Sequence, residues 1–454
     1  MNVRLAYFYI ILSATLTFFA FLLPDFLWWF VFICFVTLFY VHAKKEAFIS
    51  FSTGFFWGTI FFCFQTQGLL RVIIDHTKGR GGLFAWLLFV IYCSLWSGFI
   101  FWAISMCGRF LKNRFLKTLC MGLFIIFFFY WVEHGILLIF GRYEGYPLCH
   151  LLLPLTVYPQ ILFFVPIIGS LVLIFCIVLC NMFVALFVIS GKQNMRFIYL
   201  IGIFACLSPF VVGVCFRLLN KIPDYIKHIM VVVPKSTSHN QLDCAQNIAE
   251  QITDCADKNR DINFIIMPES SYQFPLNEYL ETVGLLGESL LSDETTLVLG
   301  AHRRENGKLY NSLYCIDWCR IINVYDKKHL IPFVEYLPNH FNIPFFKGLF
   351  LNKKKQFNVS NNRRQVLHLG HEVEMVPYIC SELFWGCERP EEWVETILCI
   401  ANDSWFSSRS MRRLLSLLSY YRAIEWQKNI LYVSHYYAQW IDPSGNSLNL
   451  SVSI

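Results

Sequence analysis

The chain has 454 residues, of which 56% are hydrophobic and only 15% are charged. Because soluble domains carry about 25% charged residues, this composition excludes an ordinary soluble protein and favours a chain that exposes much of its surface to lipid. The net charge of +6 is modest. In a membrane protein such a charge is typical of basic loops rather than of a nucleic-acid partner, and we expect none.

The first half of the chain is a series of apolar runs. Each run is long enough to cross a hydrocarbon core about 30 Å thick. The runs lie at 4–23, 26–42, 48–69, 83–107, 116–139, 157–189 and 196–216. They predict a transmembrane bundle of about seven helices, which we assign to residues 1–219.

Basic residues are distributed unevenly among the loops between these runs. One alternate set of loops contains Lys44, Lys45, Arg109, Lys112, Arg114, Lys117, Lys192 and Arg196, whereas the opposite set contains Arg71, Lys78, Arg80 and Arg142. Because Lys and Arg concentrate in cytoplasmic loops, the first set and the N-terminus are predicted to be cytoplasmic. An odd number of spans then places everything after Phe216 on the outer face of the membrane.

The character of the sequence changes near residue 220, where charges become frequent and apolar runs become short. Met230–Val233 and Phe264–Met267 are typical of buried strands, whereas 243–257 and 412–428 are typical of amphipathic helices. Alternating strands and helices predict an α/β domain over residues 220–454.

Three polar side chains stand at or near the ends of apolar segments in this domain. Glu269 follows Phe264–Met267, Lys327 follows a run that ends in Tyr325, and Cys380 follows Val376–Ile379. Read singly, a Glu after Pro is a helix cap, a Lys pair is a surface turn, and a lone Cys is a core residue. Read together, the three suit one mechanism.

The combination of Glu, Lys and Cys supplies what acyl transfer requires. A thiol becomes a good nucleophile as a thiolate, and a nearby base provides it. A glutamate can accept the thiol proton and return it to the leaving group, while an ammonium can stabilise the oxyanion of a tetrahedral intermediate. We therefore predict Cys380 as nucleophile, Glu269 as base and Lys327 as oxyanion partner.

The remaining cysteines give no sign of a metal centre. The chain has 17 cysteines, with no CxxC and no Cys/His cluster at zinc-ligand spacing. Those in the apolar runs are expected to behave as small buried hydrophobes. We expect neither a metal nor a cofactor.

The order Glu, Lys, Cys resembles the nitrilase (carbon–nitrogen hydrolase) superfamily, and more specifically its membrane branch, the apolipoprotein N-acyltransferase family. The residues that match this family's motifs are Tyr325, Lys327, His329, Leu330, Pro332, Phe333 and Glu335; Cys380 and Glu382; Asn402, Asp403, Trp405 and Phe406; and Arg422, Ala423 and Glu425. This resemblance implies an αββα sandwich beside the membrane bundle. It also implies an active site in which Glu335, Glu382, Tyr325, His329, Asn402 and Trp405 support the three catalytic residues.

The resemblance further implies an activity and a location. In this family Cys380 would take an acyl chain from a phospholipid as a thioester and pass it to the N-terminal amino group of a diacylglyceryl-Cys lipoprotein. The expected location is the bacterial inner membrane, with the catalytic domain on the periplasmic face and the protein a monomer.

The chain departs from the family pattern at several places. Val334 stands where the family usually has Gly, Ser381 stands where an aromatic residue is usual, and the chain stops at Ile454, so it is expected to lack the family's last membrane helix. These departures leave open a paralogue acting on another acceptor, a membrane-bound amidase, or a non-catalytic scaffold.

Overall fold

The computed structural model describes residues 3–44, 49–76, 80–136, 145–216, 222–235, 240–258, 261–290, 292, 294–318, 320–332, 334–336, 356–360, 364–369, 373–385 and 389–453. The chain divides into two compact units. The first comprises Met1–Leu218 and Phe406–Glu425, and the second comprises Leu219–Trp405 and Trp426–Ile454.

The first unit is built from long apolar helices. Six of the described helices could cross a membrane by length and composition: Val3–Leu22, Pro24–Lys44, Gly81–Phe110, Arg114–His134, Ser170–Ile189 and Gln193–Cys215. A bent pair, Phe51–Gln65 and Gln67–Ile74, makes a seventh if it counts as one span. The prediction of a multi-pass helical bundle is confirmed.

The bent pair turns by 62° at Thr66. A break in a helix frees backbone groups that lipid cannot satisfy, so they need partners within the protein. The indole of Trp86 donates to the carbonyl oxygen of Thr66 at 3.1 Å and to its hydroxyl at 2.9 Å. The first contact gives the carbonyl of Thr66 a partner within the protein, and the second binds its side chain.

The apolar run at 157–189 is not one continuous helix, as the sequence had suggested. Its regular helix begins at Ser170, after the short turns Leu153–Val157, Pro159–Leu162 and Val165–Ile168. Each turn has a proline in one of its first two positions. Proline lacks a backbone N–H and restricts the residue before it, so a strongly apolar segment here folds as short turns.

The helix Arg409–Trp426 lies within the predicted catalytic half of the chain, yet residues up to Glu425 belong to the first unit. The guanidinium of Arg413 pairs with Asp25 at 2.8 Å. The ring of Tyr421 lies 4.4 Å from that of His150, between centroids. The chain thus leaves the α/β unit after Trp405, packs one helix against the membrane helices, and returns at Trp426.

The second unit contains two β-sheets. Their strands are β1 Ile229–Val232, β2 Phe264–Ile266, β3 Tyr272–Pro275, β4 Thr296–Glu305, β5 Lys308–Asp317, β6 Arg320–Asp326, β7 Leu367–Leu369, β8 Val373–Ile379, β9 Thr396–Ile400, β10 Asn429–Val433, β11 Ala438–Ile441, β12 Ser447–Asn449 and β13 Ser451–Ser453. The first sheet has the order β13-β1-β2-β4-β5-β6 with β3 also paired to β4, and the second has the order β12-β11-β10-β9-β8-β7.

The helices Gln241–Lys258 and Leu280–Glu288 pack on the first sheet through a shared apolar core. The two sheets contact each other through β5 and β8. A short helix, Ser381–Trp385, follows β8. The predicted combination of an apolar helical bundle with an α/β domain is confirmed.

Strand direction determines where polar side chains can meet. In the first sheet β2 runs parallel to β1 and β4, and β6 is antiparallel to β5, which is antiparallel to β4. In the second sheet β8, β9 and β10 are parallel. The carboxyl ends of β2 and β6 therefore lie on one edge of the first sheet, and those of β8 and β9 on one edge of the second.

A buried asparagine holds the turn inside the second span. The fully buried Asn181 accepts a hydrogen bond from the backbone N–H of Phe35 at 2.8 Å and donates to the carbonyl of Val31 at 2.9 Å. We predict that Asn181→Leu lowers the free energy of unfolding by about 1–3 kcal/mol, because both backbone groups lose their partner. The thermal midpoint in detergent measures this effect. Leu171→Ala, at an exposed position on the same helix, is the control, and an equal loss in both variants would contradict the prediction.

Candidate active site

The structure places the predicted catalytic side chains just beyond strand ends. Glu269 comes three residues after β2, Lys327 directly follows β6, and Cys380 directly follows β8. Asn402 comes two residues after β9. Polar residues at the carboxyl ends of parallel strands are a usual way to build a site in α/β folds.

Lys327 is the centre of a buried ion cluster. Its ammonium lies 3.1 Å from Oε1 of Glu269 and 3.1 Å from Oε1 of Glu335. All three side chains are almost fully buried. Burial by itself would lower the pKa of Lys327, but the negative charges of Glu269 and Glu335 outweigh burial and raise that pKa above its usual value. Lys327 therefore keeps its positive charge inside the protein.

Two further groups fix the carboxylate of Glu269. The side-chain amide of Asn311 donates to Oε1 of Glu269 at 2.7 Å and to Oε1 of Glu335 at 3.0 Å. The backbone N–H of Asn402 donates to Oε2 of Glu269 at 2.8 Å. Asn402 thus supports the site through its backbone, while its side-chain oxygen accepts from Ser404.

Asn311 was not among the predicted site residues. It lies within β5, where the following residues, Leu313–Ile316, are buried and largely apolar. A carboxamide in such a strand is a signal that could have identified it, because buried polar groups are nearly always hydrogen-bonded. Nothing in its local sequence indicates that its partners are 42 and 24 residues away.

Glu335 is held in place by its neighbours in the chain. Its Oε2 accepts from the backbone N–H of Ile331 at 2.7 Å, and its own N–H donates to the carbonyl of Ile331 at 2.9 Å. Burial, and then the charge of Glu269, raise the pKa of Glu335 despite the opposing effect of Lys327. Val334, the residue found in place of the family's Gly, does not have a positive φ. The turn is thus compatible with a β-branched residue.

Cys380 occupies a strained backbone position. Its φ is +49°, and its N–H donates to the carbonyl of Ile400 at 2.8 Å. Non-glycine residues at positive φ are uncommon and concentrate at functional sites. Burial, followed by the charge of Glu269, raises the pKa of Cys380 well above its ordinary value, and Lys327 acts in the opposite direction. The sulfur is therefore a thiol at rest.

Glu382 ties the Cys380 turn to the end of β6. Its Oε2 accepts from the backbone N–H of Ile379 at 2.8 Å, and its Oε1 accepts from the N–H of Lys328 and the hydroxyl of Tyr325, both at 2.8 Å. A single buried carboxylate thus bridges the two sheets beside Cys380. Tyr325 and Glu382 are brought together at this position.

Two other predicted supporting residues, His329 and Trp405, lie near these loops. The carbonyl of His329 accepts from the hydroxyl of Ser381 at 2.7 Å, so the residue that replaces the family's aromatic adds a second link between the two loops. Trp405 is half-buried, three residues after Asn402. Phe333, part of the same motif as Glu335, lies outside the described residues.

Gly300 is required where β4 passes Glu269. A Cβ at this position would lie 2.5 Å from the carbonyl oxygen of Pro268 and 2.7 Å from Cα of Glu269. We predict that Gly300→Ala shifts Glu269 and destabilises the fold by about 1–3 kcal/mol. Thermal unfolding measures the loss of stability.

Gly284→Ala is the matched control, because a Cβ at Gly284 would meet no heavy atom within 4 Å. Gly284 lies within the helix Leu280–Glu288, so this change should leave stability unchanged or raise it by up to about 1 kcal/mol. Equal behaviour of the two variants would contradict the close packing of Gly300 on Glu269.

Comparisons with known proteins give named relatives over part of the chain. No protein-family model matches. The chain is 33% identical to apolipoprotein N-acyltransferase of Rhodopseudomonas palustris over 165 residues, covering 33% of this chain and 30% of the relative. It is 29% identical to apolipoprotein N-acyltransferase of Caulobacter vibrioides over 181 residues, covering 37% of this chain and 34% of the relative. The matches thus span about a third of these relatives.

Solved structures also resemble the chain. A carbon–nitrogen hydrolase superfamily protein from Xanthomonas campestris has a TM-score of 0.37 and 16% identity, covering 49% of this chain and 86% of that protein. A carbon–nitrogen hydrolase from Helicobacter pylori has a TM-score of 0.36 and 14% identity, covering 49% of this chain and 85% of that protein. The resemblance predicted from the motifs is confirmed by the named sequence relatives: over about a third of its length, the chain is similar to apolipoprotein N-acyltransferases.

Proposed function

We propose that this protein is an N-acyltransferase. It moves a fatty acyl chain from a phospholipid, through a thioester on Cys380, to the N-terminal amino group of a diacylglyceryl-Cys lipoprotein. The observation that carries this proposal is the buried contact between Lys327 and Glu269, whose charges both act on Cys380. The named relatives support the choice of acyl transfer and of a lipoprotein acceptor.

In the first half-reaction the Cys380 thiol attacks the ester carbonyl of the phospholipid. Because burial keeps the sulfur protonated, the S–H proton must leave as the S–C bond forms, and Glu269 is the acceptor for that proton. The ammonium of Lys327 stabilises the oxyanion. Collapse of the intermediate breaks the C–O bond, and the leaving alkoxide of the lysophospholipid takes the proton from Glu269.

In the second half-reaction the amino group of the lipoprotein attacks the thioester carbonyl. Glu269 takes a proton from the attacking nitrogen, and Lys327 again stabilises the oxyanion. The C–S bond breaks, the amide is released, and the sulfur recovers the proton from Glu269. Asn311 donates to Glu269 and to Glu335, and Glu335 pairs with Lys327. These contacts keep Glu269 and Lys327 in register throughout.

We infer that the protein lies in the bacterial inner membrane as a monomer, with its catalytic residues on the periplasmic side. The unequal distribution of Lys and Arg among the loops supports this orientation. A cytoplasmic N-terminus and a periplasmic catalytic unit require an odd number of crossings. The six long helices give an even number, so the bent pair Phe51–Gln65 and Gln67–Ile74 must form a seventh span.

The acyl-enzyme is directly testable. We predict that the purified protein, incubated with phospholipid and no acceptor, gains the mass of one acyl chain at Cys380, and that Cys380→Ser gains none as a thioester. Intact-mass and peptide mass spectrometry with hydroxylamine release measure this adduct. Cys315→Ala, which removes another buried thiol of the same unit, should still form it.

Three outcomes of this experiment bear on the function. A stable adduct that is discharged by a diacylglyceryl-Cys peptide supports the N-acyltransferase. An adduct that water discharges at the same rate with and without the peptide would make the protein a hydrolase, and the absence of any adduct under turnover conditions would overturn the thioester mechanism.

The role of Lys327 gives a second test. Lys327→Met leaves the buried carboxylates of Glu269 and Glu335 without their cation. We predict at least about 100-fold slower adduct formation, because the oxyanion loses its stabilising charge. Lys308→Met, on an exposed residue at the start of β5, is the control and should react at the normal rate. A normal rate in Lys327→Met would eliminate Lys327 as the oxyanion partner.

A further inference from the structure

Arg364 is a buried cation that the reaction above does not use. Its side chain is only 9% exposed. The guanidinium carbon lies 3.5 Å from the centre of the Tyr378 ring. Its Nε donates to the hydroxyl of Tyr325 at 3.3 Å, and its Nη2 lies 3.6 Å from Oε1 of Glu382. Arg364 thus contacts three side chains around the Cys380 turn.

These contacts lie on both sides of the nucleophile. Tyr378 is two residues before Cys380 on β8, and Glu382 is two residues after it, in the first turn of the helix Ser381–Trp385. A cation on an aromatic face is worth about 2 kcal/mol or more when desolvated. Arg364 therefore constrains the strand and the helix that meet at the positive φ of Cys380.

Glu382 depends on a cation because its carboxylate is buried. A buried charge is tolerated only when it is paired and hydrogen-bonded. Its hydrogen bonds come from Ile379, Lys328 and Tyr325, and its positive charge comes from Arg364. Arg364 also reaches Glu382 indirectly, since its Nε donates to Tyr325, whose hydroxyl donates to Glu382.

We propose that Arg364 is a positioning residue for the nucleophile. By pairing with Glu382 and keeping Tyr378 in place, it fixes the turn that presents Cys380 to Glu269 and Lys327. The proposal rests on the function proposed above, in which Cys380 is the nucleophile. It gives Arg364 a role through Tyr378, Tyr325 and Glu382.

A positioning role through charge differs from simple packing in its dependence on Glu382. Without Arg364, the buried carboxylate of Glu382 loses the cation that it pairs with. The titratable groups that face Glu382 are Tyr325 and the Cys399 thiol, and neither can replace the lost cation. A substitution of Arg364 should therefore impair the Cys380 turn while Glu382 is present, and much less in a variant whose residue 382 is an uncharged amide.

The test compares Arg364→Met in two backgrounds. We expect Arg364→Met to lower kcat for acyl transfer by about 10-fold to 100-fold with little change in KM, as a misplaced catalytic group does. In a Glu382→Gln background, where the carboxylate that Arg364 pairs with is gone, the same substitution should cost no more than about 3-fold.

Alkylation of Cys380 by iodoacetamide, followed by peptide mass spectrometry, is the second readout. It needs no acyl donor, so it separates this proposal from the proposed function: failure to form an acyl adduct would leave the alkylation result intact. We expect Arg364→Met to change the alkylation rate of Cys380. Arg320→Gln, at an exposed arginine on β6 of the same unit, should leave that rate unchanged.

Arg364→Lys addresses the case in which Arg364→Met does not fold. Lysine keeps the positive charge beside Glu382 but loses the planar contact with Tyr378, so it should lower kcat by less than Arg364→Met does. Thermal unfolding in detergent identifies which variant is folded. An unchanged kcat in folded Arg364→Met, or an equal cost in the Glu382 and Glu382→Gln backgrounds, would overturn the proposal.

Discussion

The burial of the Lys327 ammonium is the constraint on which the catalytic unit depends. A lone ammonium in the protein interior would lose its proton, because moving a charge out of water costs several kcal/mol even after relaxation. Two carboxylates at 3.1 Å prevent this, but they are themselves buried and repel each other. Asn311 reduces the cost of bringing the two carboxylates together by donating a hydrogen bond to each of them. The carboxylates thus stabilise the ammonium, and the amide stabilises the carboxylates.

This cluster also explains why residues from distant parts of the chain must meet. Glu269 follows β2, Asn311 lies in β5, and Lys327 follows β6, all in the first sheet. Asn402, which binds the second oxygen of Glu269, follows β9 in the other sheet. The full set of hydrogen bonds to Glu269 therefore forms only when both sheets are in place. Glu382 makes a second connection between the sheets, from the Cys380 turn to the end of β6.

Part of the candidate site could be predicted from the sequence, and part could not. Residues of suitable chemical types after apolar runs led to the prediction of Glu269, Lys327 and Cys380, because the end of an apolar run is visible locally, and the structure places all three just beyond strand ends. Arg364 and Gly300 were missed for the opposite reason. Their roles depend on atoms of Glu382 and Glu269, which lie 18 and 31 residues away in the sequence. Similarly, an amphipathic pattern revealed the helix at 409–426 but not that it packs with the membrane helices.

Burial of Cys380 has a consequence for the proposed reaction. A preformed thiolate would be reactive toward any electrophile, whereas a thiol with a raised pKa stays inert until a base is positioned to receive its proton. In the proposed reaction Glu269 is that base, and the ammonium of Lys327 lies 3.1 Å from it. The same ammonium is the group that would stabilise the oxyanion of a bound ester. One buried cation would therefore serve both the base and the developing oxyanion, which gives a physical reason for burying the nucleophile, the base and the cation together.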